Sequence, residues 1–445
     1  MSNITYLTSA ELYEKLTKLL KMNITFSENI KDPYFCIYGK SHIIAIKITK
    51  KWYVNIDNWN IKDSTILKDF NSITPSSHAL KEFKSSLRES RHYYFSLWPQ
   101  LTPNINRIIK SGYNSGTLYA YPGFYKQIVY HYDLNSAYAE AFMKAEVPVG
   151  APEIHKGFIP PDKDHLNIYC MDLSVEYMSQ DIFPYLVNSG DNHKLPSQII
   201  SNTGTHSLYK VITQTEFEDL QKDYDVIHEC LYTFQFKKGP KGLFNNFVNR
   251  FFELKNSTEG EKRIVYKSIL ASLAGKLAQG IEQQNIPESV NEFGNIKYRT
   301  VKIDKDKVEY LNPAVSIFIV DYVRKLIRDT IRQFGYKNVV LVDTDGFISL
   351  KPLPLPLSQK LGEWKCTTYE NLIVNGTRSY FYTQNGEFHS SVSGLGDIYE
   401  DGVNNYTYDT MYDLHKLKSV APIVKKVLFC GKEKYATLNV QIGGK

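Results

Sequence analysis

Val342-Asp343-Thr344-Asp345-Gly346 stands between two short apolar runs, Asn338–Val342 and Phe347–Leu350. The pattern predicts a tight β-hairpin with two carboxylates at its tip. Residues i and i+2 of extended chain point the same way, so Asp343 and Asp345 are expected to face one site. Two neighbouring carboxylates repel unless a cation lies between them. A third candidate is Asp133, which follows a β-rich run in Val129-Tyr130-His131-Tyr132-Asp133-Leu134-Asn135-Ser136-Ala137-Tyr138. Two Asp-bearing strands suggest a two-metal site for phosphoryl or nucleotidyl transfer. Taken alone, an Asp-x-Asp pair in a turn is also ordinary solvated turn chemistry.

Between the two acidic segments, Thr258-x-x-Glu261 reads as a capping box. It opens a helix expected over Glu259–Gln279. Arg263 and Lys267 are four apart and share a helix face, and Lys255 lies just ahead of the helix. Ala271, Ser272, Ala274 and Gly275 follow, small enough to admit another backbone or a planar base. Basic groups along a helix, opposite an acidic metal site, suit a triphosphate: cations take the outer phosphates while metals take the reacting one. An amphipathic helix with a solvated basic face reads the same segment equally well.

The order and spacing of these segments resemble family B DNA polymerases, specifically the protein-primed branch of small linear-genome phages and plasmids. Asp133 to Tyr138 is similar to motif A, D-x-x-S-L-Y-P. Lys267 to Gly275 is similar to motif B, K-x-x-x-N-S-x-Y-G, and Leu341 to Gly346 to motif C, Y-x-D-T-D-S. Tyr119 to Phe124 resembles the glycine-rich element ahead of motif A; Leu361 to Trp364 and Arg378 to Tyr380 resemble segments after motif C. The resemblance runs from about Ser76 to Lys445. It implies an α+β right-hand architecture: a palm with an antiparallel sheet, short helical fingers and a small β-rich thumb, plus a small N-terminal α+β domain.

The resemblance also assigns roles. Asp133, Asp343 and Asp345 are the expected catalytic carboxylates and ligands of two Mg²⁺ ions, with Mn²⁺ as an alternative, and Asp343 is the weaker contributor. Lys255, Arg263 and Lys267 hold the triphosphate. Tyr138 lies under the sugar and excludes a 2′-hydroxyl, and Ala274 lines the nucleotide pocket. Tyr121, Gly123, Ser136, Ser272, Gly275, Arg378 and Tyr380 are expected at primer and template. Several positions depart from the pattern. Ala139 replaces Pro, Ala271 replaces Asn, Ala274 replaces Tyr, Leu341 replaces Tyr, and Gly346 replaces Ser. Pro122 interrupts the glycine-rich element. The three carboxylates are all present, which implies retained chemistry in an altered nucleotide pocket.

Length and composition set wider bounds. A chain of 445 residues can bury a large core and hold several subdomains. A net charge of +6 fits a nucleic-acid partner without requiring one. Some of the 33 Tyr and 23 Phe are candidates for stacking on bases, though each one singly is more plausibly core. The 5 Cys are scattered with no C-x-x-C, which argues against a zinc site or a disulfide frame and for a reducing cytoplasm. No run of 18 apolar residues marks a membrane span.

Along the chain, residues 1–75 form a small N-terminal domain of unassigned role. It is expected to hold a helix over Ser9–Met22, N-capped by Ser9, and a meander of Tyr34–Tyr38, His42–Ile48 and Trp52–Ile56. It carries no D-x-E, so no 3′–5′ exonuclease is expected. Residues 76–145 are the first part of the palm. The proline-rich stretch 146–242 reads as irregular and stands where relatives contact their priming protein. Residues 243–281 are the fingers. Residues 282–312 read as a hairpin turning at Gly294-Asn295, like the insertion that wraps DNA in relatives. Residues 313–390 complete the palm, with a helix over Ala314–Phe334, and 391–445 form the thumb.

Three classes of function remain open. The leading one is a monomeric, protein-primed, DNA-directed DNA polymerase of a phage or mobile element, taking template-primer, dNTPs and a terminal protein as partners. The second is a template-independent, translesion or defence-associated polymerase. The third is a non-catalytic DNA-binding protein on the same scaffold.

Overall fold

A computed structural model describes residues 4–39, 42–68, 70–87, 91–114, 116–178, 187–188, 198–199, 208–280, 282–304, 311–376, 379–392, 420–429 and 432–441. The chain divides into two compact units. One comprises Met1–Lys110, Pro240–Ser316 and Val427–Lys434; the other comprises Ser111–Gly239, Ile317–Lys426 and Tyr435–Lys445.

In the first unit, the expected N-terminal helix spans Ser9–Lys21. Leu12, Leu16 and Leu20 recur every four residues and are buried, so one face of the helix joins the core. Its cap is Thr8 rather than Ser9: the Thr8 hydroxyl accepts from the Glu11 amide and the Glu11 carboxylate returns to the Thr8 amide. A Thr-x-x-Glu box satisfies two free amides at once, which decides the one-residue shift. The meander forms over Tyr34–Tyr38, Ile43–Ile48 and Lys51–Asn55. A strand not anticipated, Ile4–Leu7, adds parallel to Lys51–Asn55.

The predicted second insertion is the hairpin Gln283–Val290 and Ile296–Lys302, with Gly294 at φ +81° in its turn. Ile286, Val290, Ile296 and Val301 share the core of Leu12, Leu16 and Cys36. The Tyr13 hydroxyl donates to the Gly294 carbonyl at 3.0 Å and accepts from the Ile296 amide at 3.1 Å. The N-terminal domain and the hairpin therefore fold as one body.

The remaining helices of this unit gather around aromatic rings. Phe83 stacks on Phe244 at 4.4 Å, and Phe247, Trp98 and Tyr94 close around Phe83. Trp59 is fully buried against Phe70 and His78.

In the second unit, residues 146–242 are far more ordered than their prolines suggested. Four antiparallel strands include His165–Tyr177 and Tyr224–Lys238, in the order Leu208–Thr213, His165–Tyr177, Tyr224–Lys238, Pro148–Lys156. Pro148 opens a strand and Pro160-Pro161 lie in the connection to the next, positions where a missing amide costs no ladder bond. Pro184 and Pro196 lie outside the described residues.

The helix Gln214–Leu220 covers one face of this sheet. It faces the helix Pro313–Phe334 through a ladder of buried charges. Glu216 pairs with Arg324 at 2.8 Å, Arg332 with Asp219 at 2.6 Å and with Asp223 at 2.8 Å, and Arg328 with Asp219. Asp321 accepts from the Thr213 hydroxyl.

Four buried carboxylates here meet three guanidiniums. Burial drives Glu216 up to about 8 and raises Asp321, so the folded ladder keeps a proton that the unfolded chain releases. A carboxyl raised on folding contributes stability below its unfolded pKa and loses it as pH rises through the folded one. Stability is therefore expected to fall between about pH 5 and pH 8, by at most about 1.4 kcal/mol per pH unit for one proton. Urea unfolding of Asp321→Asn, which leaves three carboxylates against three guanidiniums, should show a flatter slope and higher stability at pH 8.5. A slope equal to wild type would place the retained proton elsewhere.

A five-stranded sheet carries the acidic segments. A second sheet, Glu387–Val392, Ser379–Gln384, Asn371–Gly376 and Gly123–Tyr125, shares with it a core of Val129, Leu341, Ile348, Leu372 and Val374. Of the expected thumb, the described part is a pair of strands, Val420–Phe429 and Lys432–Gln441. Among the described residues, no helix is long and apolar enough to cross a membrane. Cys36, Cys170, Cys230 and Cys366 are free thiols.

Candidate active site

The strands Val129–Leu134, Gly346–Ser349 and Val339–Thr344 lie side by side. Asp133 pairs with Gly346, and Gly346 pairs with Asp343. Laterally paired residues put their side chains on one face, so Asp133 and Asp343 share a face with a glycine between them. Their Cα atoms are then about 10 Å apart, two strand spacings. No side chain fits at the position between them: a Cβ on Gly346 would lie 2.7 Å from the Tyr132 carbonyl oxygen. The row continues outward to Lys365 beside Asp133 and to Leu118 beside Asp343.

The hairpin tip departs from the sequence argument. Thr344 adopts φ +63°, so the chain from Asp343 to Asp345 is not extended and the same-face rule does not apply. Asp343 and Gly346 close a two-residue turn with a left-handed first position, which glycine normally fills. A β-branched residue there is strained. Gly116 makes it fit, since a Cβ at that position would lie 2.5 Å from the Thr344 Cα. Asp345 is held by its backbone: its amide donates to the Asp343 carbonyl at 2.8 Å and its carbonyl accepts from Leu134 at 3.0 Å. All three expected acidic residues thus lie at one end of three adjacent strands. Among the described residues, however, no group of three His, Cys, Asp or Glu is drawn together closely enough to form a ready metal-holding set. The donors are oxygens on carboxylates, which suits Mg²⁺ better than a softer ion.

Two residues of this site escaped the sequence reading. His131 lies two residues before Asp133 on the same strand, hence on the same face. Its Nδ1 meets the Tyr369 hydroxyl at 2.7 Å. Burial holds the imidazole below the usual histidine range, and the charges of Asp133 and Asp343 oppose that only in part. Strand alternation alone would have found it. Asn135 is 2 % exposed, and its side-chain amide donates to the carbonyls of Lys360, at 2.9 Å, and of Gln359. Its backbone also pairs with Glu363 and Gly362. The 359–363 loop thereby fixes the turn after Asp133, where Ser136 takes φ +57° and starts the helix Ala137–Lys144 that carries half-buried Tyr138.

Of the other expected site residues, Tyr121 is 62 % exposed, and its amide donates to the Val340 carbonyl at 2.8 Å. Gly123 pairs with Val374. Tyr380 is buried, and that burial raises its pKa, with the charges of Asp343 and Asp133 adding to the effect. Arg378 lies outside the described residues.

In the first unit, the segment expected to form the fingers holds two helices, Asn245–Asn256 and Gly260–Leu277. Lys255 lies ahead of the second helix, as expected, in the last turn of the first; it is 4 % exposed, with its ammonium 4.5 Å from the centre of the Phe252 ring. Arg263, Lys267, Ala271 and Gly275, spaced by four, form an exposed stripe on the second helix. Ser272 turns its hydroxyl back to the Ile269 carbonyl at 3.3 Å. Ala274 is 2 % exposed, so it is a packed position rather than an open wall of the pocket; a ring there would have to displace its neighbours. The capping box also does not form: Glu259 is the cap residue, Thr258 donates to the Leu254 carbonyl, and Glu261 turns away.

Comparison with known proteins gives this geometry a context. DNA polymerases of Bacillus phage Nf and Streptococcus phage Cp-1 are each 22 % identical to the chain, over 66 % and 74 % of it. The chain spans only 52 % and 60 % of those two relatives. Phi29 DNA polymerase complexed with primer-template DNA and incoming nucleotide superposes with a TM-score of 0.81 at 16 % identity, covering 98 % of this chain and 90 % of that one. The α+β architecture is therefore that of a right-hand polymerase. The family described as DNA polymerase type B, organellar and viral, matches residues 37–318, more than half of the chain. The chain belongs to that family.

Proposed function

We propose that the chain is a DNA-directed DNA polymerase that joins nucleotides from dNTPs to a primer hydroxyl, with a protein hydroxyl as the first primer, in the replication of a small phage or mobile element. The observation that carries this reading is the row Asp133–Gly346–Asp343, with the Asp345 turn beside it, in a chain of this family. Two Mg²⁺ ions held by Asp133, Asp343 and Asp345 would acidify the attacking hydroxyl and neutralise the leaving pyrophosphate.

The chain's own groups do the rest. Lys255, Arg263 and Lys267 hold the triphosphate, and Lys255 is already fixed over Phe252. Asn135, anchored to the 359–363 loop, sets the turn that carries Asp133 on one side and Tyr138 on the other. Tyr121, Gly123, Ser136, Ser272, Gly275 and Tyr380 serve primer and template, as does Arg378. His131, whose burial lowers its pKa and whose ring is tied to the Tyr369 hydroxyl, buttresses the acidic row.

A second reading, a template-independent or otherwise specialised polymerase, draws on the bare stripe Ala271 and Gly275 below Lys267. Extension of a labelled primer with and without template separates the two. Template-directed products support the first reading and untemplated tails the second. DNA binding without incorporation would leave only a non-catalytic scaffold. Substituting a serine or tyrosine hydroxyl on a small protein for the DNA primer tests protein priming.

Tyr138 offers a narrower test. Tyr138→Val should lower the preference for dNTPs over rNTPs by about 10- to 100-fold, the worth of roughly 1–3 kcal/mol of packing against the 2′ position. Single-nucleotide insertion kinetics with both sugars measure it. An unchanged ratio would make Tyr138 a packing residue.

A further inference from the structure

The helix Gly260–Leu277 carries Arg263 and Lys267, yet its own N-terminus is poorly secured. Its cap residue Glu259 makes no side-chain capping bond, and Gly260, its first residue, sits at φ +59°. A helix start without a cap leaves free amides and a soft first turn. Glu261, in that turn, instead reaches the N-terminal domain. One carboxylate oxygen accepts from the Lys62 amide at 2.9 Å and the other from the Asp63 amide at 3.0 Å. The receiving loop is itself stiffened: Asp63 caps the short turn Ser64–Leu67, accepting from the Thr65 amide at 2.8 Å and its hydroxyl at 2.7 Å. Ile61 beside it is buried.

A second link lies further along the helix. The Phe70 ring meets the Tyr266 ring at 6.1 Å, and Tyr6 holds this stretch by donating to the carbonyls of Phe70 and Ser72. A carboxylate gripping two backbone amides fixes both distance and direction, which a single hydrogen bond does not.

We infer that residues 1–75 serve as a brace for nucleotide binding, in which the Glu261 carboxylate latches the finger helix to the 61–63 loop and so sets the position of Arg263 and Lys267. Glu261 is a positioning residue that touches no substrate. The inference rests on the polymerase reading, in which Arg263 and Lys267 hold the triphosphate. Without the latch the helix samples more orientations, and each binding event must select the competent one, which weakens apparent affinity without altering the chemistry that follows.

Kinetics of single-nucleotide incorporation by the full chain test this. Glu261→Ala should raise KM for dNTP about five- to tenfold while kcat at saturating dNTP stays near wild type. Glu261→Gln, keeping one oxygen for one amide, should fall between. Glu259→Ala, four residues from Arg263 but without a latch, should match wild type. An active Glu261→Ala enzyme with wild-type KM overturns the latch, as does an equal loss in kcat with no change in KM, the mark of mere misfolding. If the wild-type chain incorporates nothing, the polymerase reading fails by itself. The latch is then read by hydrogen exchange, where the Lys62 and Asp63 amides should exchange faster in Glu261→Ala; equal protection would overturn it.

Discussion

Asp133→Ala is expected to lower nucleotide incorporation by about 10³-fold or more, equivalent to about 4 kcal/mol of transition-state stabilisation. The reason is the geometry of the row. Asp133 and Asp343 flank a residue with no side chain, so neither has a neighbouring carboxylate on that strand that could take over its share of cation binding. Fold stability should not fall with it. Two carboxylates on one sheet face repel each other in the absence of a cation, and removing one relieves that repulsion. Asp345→Ala should have a comparable effect on incorporation. Its backbone, which pairs with Leu134 and Asp343, keeps the turn in place after the side chain is lost. The measurement is primer extension alongside DNA binding and thermal unfolding of each variant. Incorporation near the wild-type rate in either would remove that residue from the catalytic set, whereas loss of DNA binding together with activity would point to collapse of the strand junction.

The largest stability effect is expected at Asp219. Its carboxylate is fully buried and takes both Arg328 and Arg332, the latter at 2.6 Å. Arg328 is itself only 2 % exposed; burial lowers its pKa, and the neighbouring acids, Asp219 first, oppose that shift. Deleting one partner of a buried, hydrogen-bonded ion pair leaves a charge in a poor solvent, at a cost of about 3–5 kcal/mol. Asp219→Ala should therefore shift the urea midpoint strongly, with the sheet of residues 148–238 loosening first from the helix Pro313–Phe334. Lys18→Ala, which breaks the solvent-exposed pair with Glu14, is the matched control and should move the midpoint by too little to resolve. Equal effects in the two variants would mean that the ladder is not a stabilising contact.

Strand alternation and turn chemistry make much of the candidate site legible in the sequence. The DTD hairpin, the hairpin turning at Gly294-Asn295 and the helix Pro313–Phe334 each follow from local periodicity and a glycine or proline in the turn or at the boundary, and the Asp133 strand from its run of Val and Tyr alone. These signals are local, and local signals survive folding when nothing distant competes for the same groups. Where something did compete, the reading failed. Thr258-x-x-Glu261 has the pattern of a capping box, but the amides of Lys62 and Asp63, about two hundred positions away in the chain, take the Glu261 carboxylate. The prolines of 146–242 suggest irregular chain, yet those among the described residues fall at a strand start, in connections or, for Pro152, at the irregular middle of the edge strand Pro148–Lys156, leaving the long ladder between His165–Tyr177 and Tyr224–Lys238 free of them.

The sequence by itself determined the family, the three carboxylates and the basic helix, because each is a short pattern whose chemistry depends on residue type and spacing. Only the tertiary structure decided how those residues are used. It placed Gly346 between Asp133 and Asp343, turned Thr344 left-handed so that Asp343 and Asp345 no longer follow strand alternation, and buried Ala274. It also brought His131 beside the acids and joined the finger helix to residues 61–63. Lateral strand register, burial and contacts between distant segments arise from packing of the whole chain, and no window of sequence contains them.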